Sequence, residues 1–133
     1  MYLLPHALFG AALAYMFGWW GVLLAFISHY VLDAVVYSHY SKSIKHHAFI
    51  VILTILAVGE LFILKKDYFL ILGAIAASIP DIDDIFLFIF KSKNKLLMKY
   101  VKLHGKIQNE TTKIIGGLTQ IVTILLSLAL VLL

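Results

Sequence analysis

Cysteine is absent from the 133-residue chain. That removes a disulfide framework, a thiol nucleophile and any cysteine-ligated metal. Arginine is absent too, so all 11 basic residues are lysines. Charge of either sign is scarce: charged residues make up 14%, against about a quarter in a soluble domain. So few charges cannot tile a surface that faces water. The same numbers exclude a disordered chain, a nucleic-acid module, a coiled coil and a collagen-like fibre. What abounds is apolar, with 62% hydrophobic residues and a mean hydropathy of +0.98. A single integral membrane domain over residues 1–133 is the class that remains. The net charge of +4 then reports on membrane topology and not on a nucleic-acid partner.

Five apolar stretches, at about 3–17, 19–37, 48–64, 68–90 and 114–133, approach the ~20 residues that cross a hydrocarbon core. The expected fold is all-α and polytopic, with about five transmembrane helices and one interfacial amphipathic helix. Gly18-Trp19-Trp20-Gly21 separates the first two stretches as a tight hairpin, at the interface depth that Trp favours. No basic segment precedes the first stretch and the second follows almost without a gap, so a span is expected there and not a signal peptide.

Lysine placement sets the orientation. With alternating spans, Lys42, Lys45, Lys91, Lys93, Lys95, Lys99, Lys102, Lys106 and Lys113 fall on the N-terminal side. Only Lys65 and Lys66 fall on the other. The positive-inside rule therefore places the N-terminus in the cytoplasm and the C-terminus outside. Lys95, Lys99, Lys102 and Lys106 also follow an i, i+4, i+7, i+11 pattern. That spacing predicts an interfacial helix over about 95–107, with its basic face toward anionic headgroups and His104 toward the bundle.

Ionisable side chains inside spans are costly, and here they gather. His6 opens the first span. His29 and Asp33 share one face of the second at i, i+4, and His39 follows its end. Asp81 and Asp84 share a face at i, i+3, with Asp83 beside them, and Pro80 breaks the helix that carries them. Alternation delivers all of these, with His104, to the cytoplasmic depth. Three neighbouring carboxylates demand a cation, a shared proton or a wet pocket, and a metal is the simplest answer. Ser28 and Ser78 each stand five residues before an aspartate, Asp33 and Asp83, a short internal echo of the two segments. His46 and His47 are read as interface residues at the start of the third span, and Glu60 lies toward the outer side, away from the cluster.

Pro5-His6-Ala7-Leu8-Phe9-Gly10, Ser28-His29-Tyr30-Val31-Leu32-Asp33 and Ile79-Pro80-Asp81-Ile82-Asp83 carry a resemblance. The chain resembles the small bacterial and archaeal membrane-bound metal-dependent hydrolases, including the LexA-binding inner-membrane type. It has a more distant similarity to zinc-dependent phospholipase C. The resemblance covers residues 1 to about 84, with a looser likeness around His104. It implies a helical fold in a prokaryotic cell (inner) membrane, a divalent metal held by His and Asp, and hydrolytic activity. By motif position it implies His6, His29, Asp33, Asp81 and Asp83 as the ligands. The chain departs from the family's His-Arg-Gly-x-Thr-His element, of which only His104-Gly105 remains.

The function expected from these observations together is hydrolysis of a lipid-borne ester, a phosphoester or phosphodiester, at the cytoplasmic leaflet. One or two divalent ions would be held by His29, Asp33, Asp81 and Asp83 or Asp84, with His6, His39 and His104 as further ligands or proton carriers. His104 and Asp84 would carry the protons, Asp84 as general base. His and Asp ligation suits Zn²⁺ first, with Mn²⁺ and Fe²⁺ as alternatives. The partners expected are membrane lipid and a lipid or lipid-linked substrate. A transporter or channel for divalent cations or protons is the first alternative. It needs polar groups along the whole path, whereas the outer half offers Glu60 and Asp67, so only a homo-oligomer could line one. A non-catalytic scaffold stapled by metal is the second.

Overall fold

A helix with scarcely a charged side chain has no face to give to water and belongs inside its fold. Leu3–Phe17 is such a segment, and as helix α1 it packs against four others. In this computed structural model the described residues, 2–35, 44–81, 94–108 and 112–133, are all-helical. After α1 come α2 (Trp19–Val35), α3 (Ile44–Lys65) and α4 (Tyr68–Ser78), then a 3-10 turn (Ile79–Asp81), α5 (Lys95–Ile107) and α6 (Lys113–Leu132). α1 lies at the centre, touching α2, α3, α4 and α6, and α2 also packs on α4. Its Pro5, His6, Ala7, Leu8, Gly10, Ala11, Ala12 and Ala14 are buried.

Small residues set the closest approach. A Cβ on Gly10 would come 2.5 Å from Ala77 Cβ and 2.6 Å from the Gly73 carbonyl oxygen. A Cβ on Gly73 would in turn meet the Gly10 carbonyl. The α1 and α4 backbones therefore touch, as small residues allow between apolar helices. Gly18, at φ 57°, reverses the chain between α1 and α2 while its N–H caps Ala14 O at 2.8 Å. An L side chain there would be strained.

Local sequence fixes the helix ends. The carboxylate of Asp67 accepts the Phe69 N–H at 2.8 Å and starts α4. Pro80, with no N–H to donate, ends α4 early, and the chain tightens into the 3-10 turn. Asn94 caps α5 by accepting from Leu96 N and Leu97 N, and Thr112 caps α6 by accepting from Ile115 N.

α6 is amphipathic in the inverse of the soluble sense. Its buried stripe is Gly116, Gln120, Thr123, Ser127 and Val131, whereas Leu118, Ile121, Val122, Leu125 and Leu126 are exposed. The buried hydroxyls of Thr123 and Ser127 donate to carbonyls one turn back, at 2.9 and 2.7 Å, so they are satisfied within the helix.

The α1 and α5 boundaries agree with those read from the sequence. α3 begins four residues before the expected 48, which puts His46 and His47 in its first turn. The stretch expected over 68–90 is helical only to Ser78 before the 3-10 turn; residues beyond 81 lie outside those described. Among the described residues, two helices are long and apolar enough to cross a membrane: Lys45–Lys65, at 21 residues, and Lys113–Leu132, at 20. α1, with 15 residues, reaches only about 22 Å at 1.5 Å per residue, and the 17 described residues of α2 cover about 26 Å.

Candidate metal centre

Four segments meet at one end of the bundle. α1 supplies His6 from its first turn and α2 supplies His29 and Asp33 from its last turns. The 3-10 turn supplies Asp81, and α5 supplies His104. His6, His29 and Asp33 are fully buried and His104 is 3% exposed. The Asp81 side chain is the most accessible, at 15%.

The early end of α4 decides the chemistry of His29. With the helix finished at Ser78, the Ala77 carbonyl is free to accept from His29 Nδ1, at 2.8 Å. A ring nitrogen that donates to a carbonyl carries the proton, so the Nε2 of the neutral ring presents a lone pair. A backbone carbonyl holding the far nitrogen is how metal-ligating histidines are commonly oriented. The Gly10–Gly73 contact keeps α4 close enough for this bond, since Ala77 lies in the same α1–α4 seam.

His29 Nε2 faces three further ligand atoms: His104 Nε2 at 3.3 Å, Asp33 Oδ2 at 3.4 Å and Asp81 Oδ1 at 3.4 Å. His104 Nε2 stands 3.4 Å from Asp33 Oδ2. The atoms of His29, Asp33 and His104 thus form a nearly equilateral triangle. A cation among these atoms would be met by the His29 Nε2 lone pair and the Asp33 carboxylate, with His104 completing the set in the tautomer that leaves its Nε2 unprotonated. Bonds of about 2.0–2.1 Å to a tetrahedral ion place its ligands about 3.3–3.4 Å apart. This triangle has the dimensions of one face of that tetrahedron, and the group can hold a divalent cation.

His6 is placed differently. Its Nε2 donates to the other carboxylate oxygen, Asp33 Oδ1, at 3.1 Å, and its ring stacks on His29 with centroids 4.0 Å apart. A donor on the outer oxygen fixes the carboxylate plane, which leaves Oδ2 to face the triangle. His6, His29 and Asp81 also bring one ligand atom each within 4.8 Å of one another, so a second, overlapping set shares His29 with the first.

α5 is pinned at three points one turn apart. Tyr100 donates to the Pro80 carbonyl at 3.1 Å, and its hydroxyl lies 3.0 Å from that of Tyr30. His104 enters the triangle, and Gln108 Nε2 reaches Asp33 Oδ2 at 3.5 Å. Tyr30, Tyr100, Gln108 and the Ala77 carbonyl were not singled out in the sequence. The i−4 and i+4 spacing of Tyr100 and Gln108 about His104 was the available signal.

Of the residues expected to form the site, the structure brings together His6, His29, Asp33, Asp81 and His104. His39, Asp83 and Asp84 lie outside the described residues. His46 joins neither group; its ring lies against Tyr2, with centroids 5.2 Å apart. Compared with family models, with curated proteins and with solved structures, the chain finds no match in any of the three.

Proposed function

We propose that this chain is a polytopic membrane protein that hydrolyses a lipid-borne phosphoester with a divalent metal ion. The observation that carries the reading is the triangle of His29 Nε2, Asp33 Oδ2 and His104 Nε2, with edges of 3.3, 3.4 and 3.4 Å. Three protein ligands on one face leave the fourth position for water or substrate, the pattern of catalytic zinc. Histidine and aspartate ligation with one open position suits Zn²⁺ first, with Mn²⁺ or Fe²⁺ as alternatives.

The chemistry such an ion supplies is an activated water and neutralisation of charge on a phosphoryl oxygen. The chain's own groups do the rest. His29 and His104 hold their Nε2 atoms toward the ion position, and His6 locks Asp33 by its outer oxygen. Asp81 has the most accessible side chain of the group, at 15%, and Oδ1 within 3.4 Å of His29 Nε2. With an ion held by the triangle, its carboxylate would be placed to accept the proton of the attacking water, the role expected of Asp84 from the sequence.

Five membrane-embedded helices complete the reading. Support comes from their outward faces: Leu23, Ile27 and Val31 of α2, Phe49, Ile52, Ile55 and Leu56 of α3 and Leu118, Ile121, Val122, Leu125 and Leu126 of α6 expose large apolar side chains. Water does not tolerate so much contiguous apolar surface. α1 is shorter than a span; its neighbours bury it from Pro5 to Ala14, while Met16 and Phe17 at its C-terminal end are exposed. The lysine asymmetry supports a site at the cytoplasmic leaflet, and the sequence resemblance implies that the membrane is that of a prokaryotic cell.

Elemental analysis of the purified protein, paired with hydrolysis of labelled phospholipids with and without chelator, tests the proposal. Stoichiometric zinc and chelator-sensitive release of a headgroup or phosphate are expected, both lost in Asp33→Ala. A metal-loaded protein that turns over no lipid ester would overturn the hydrolase.

A further inference from the structure

α5 shows different chemistry to its two sides. At 100° per residue, Lys95, Lys99, Lys102 and Lys106 fall in one narrow stripe, all exposed, and His104 falls directly opposite. One flank carries Leu96 and Leu103, 78% and 60% exposed, and the other carries Met98. Only His104 of this helix is buried. Its side toward the bundle carries polar links from Tyr100, His104 and Gln108 and the half-buried Leu97, Val101 and Ile107.

We infer that α5 docks on an anionic lipid leaflet and that this docking holds His104 in the metal triangle. Charge complementarity names the surface: four lysines in one stripe attract anionic headgroups, each adding to the binding. Leu96 and Leu103, costly in water, enter the acyl region beside the bundle. One rigid helix carries both the lysine stripe and His104, so lipid and metal each strengthen binding of the other by the same factor. The first half stands on α5 alone; the second rests on the proposed metal site.

The test places the full chain in nanodiscs of phosphatidylcholine, or of an equal mixture with phosphatidylglycerol. Zinc affinity is titrated for the native chain and for a variant with Lys95→Gln, Lys99→Gln, Lys102→Gln and Lys106→Gln. The native chain is expected to bind zinc about tenfold tighter in the anionic discs, beyond any gain shared by the variant. Subtracting the shared gain removes the plain accumulation of cations at a charged surface. An equal gain in both proteins overturns the coupling.

The second measurement needs no metal. The chain has no cysteine, so a nitroxide on Leu103→Cys reports its depth without competing labels. Deeper burial in anionic discs, lost in the glutamine variant, supports docking; the same depth in both lipids overturns it. A native chain that binds no zinc in either disc overturns the metal site and the coupling with it, while the nitroxide still decides the docking.

Discussion

α5 and α6 are both amphipathic, and they are turned in opposite senses. α6 buries Gln120, Thr123 and Ser127 and exposes leucines, whereas α5 exposes lysines and buries a histidine. Each polar group in α6 that donates to its own backbone needs no solvent, so the helix can give its outside wholly to apolar contact. The ammonium groups of α5 have no such internal partner and must reach water or anions. The contrast teaches that burial here follows from where a polar group finds its hydrogen bond, and hydropathy alone does not fix it.

The comparison breaks most visibly at the one buried residue of α5. His104→Ala removes a corner of the triangle, and metal affinity is expected to fall by more than about a hundredfold, beyond the reach of an orienting residue. Elemental analysis after dialysis against buffered zinc measures it. His6→Ala, which loosens Asp33 without removing a corner, is expected to lower affinity about 10–100-fold while the ion still binds at saturation. On α6 the expected effects are on stability. Ser127→Leu, 1% exposed and facing α1, should overpack the seam and cost about 1–3 kcal/mol. Leu125→Ala on the outer face should stay within about 0.5 kcal/mol. Thermal unfolding in one detergent ranks the two, and an outer substitution as harmful as the inner one would invalidate the inverted reading of α6.

Much of this arrangement is legible in the sequence, for physical reasons that differ by element. α5 is read to its ends because four lysines mark its face, and the structure adds the Asn94 cap. α1 is bounded by an apolar run on one side and Gly18 on the other. The i, i+4 spacing of His29 and Asp33 assures that they share a face. Spacing does not reveal which atom each presents. The division of labour between His6 and His104 is invisible in the sequence, since both are lone histidines near an interface. It depends on which carboxylate oxygen each imidazole meets, 3.1 Å from Oδ1 for His6 and 3.4 Å from Oδ2 for His104. The short α4 is half legible: Pro80 announces a break, but not that the freed Ala77 carbonyl would find His29.

The amino-acid order thus determined by itself that the chain is helical and apolar, that small residues allow close helix contact, and that its costly ionisable groups cluster near segment ends. Those properties are local, set by side-chain volume, capping and hydrophobic run length. Only the tertiary structure decided that His29 keeps its proton on Nδ1 and turns Nε2 toward Asp33 and His104. A tautomer is chosen by the partner of the opposite nitrogen, and that partner, 48 residues away, arrives only when α2 and α4 pack.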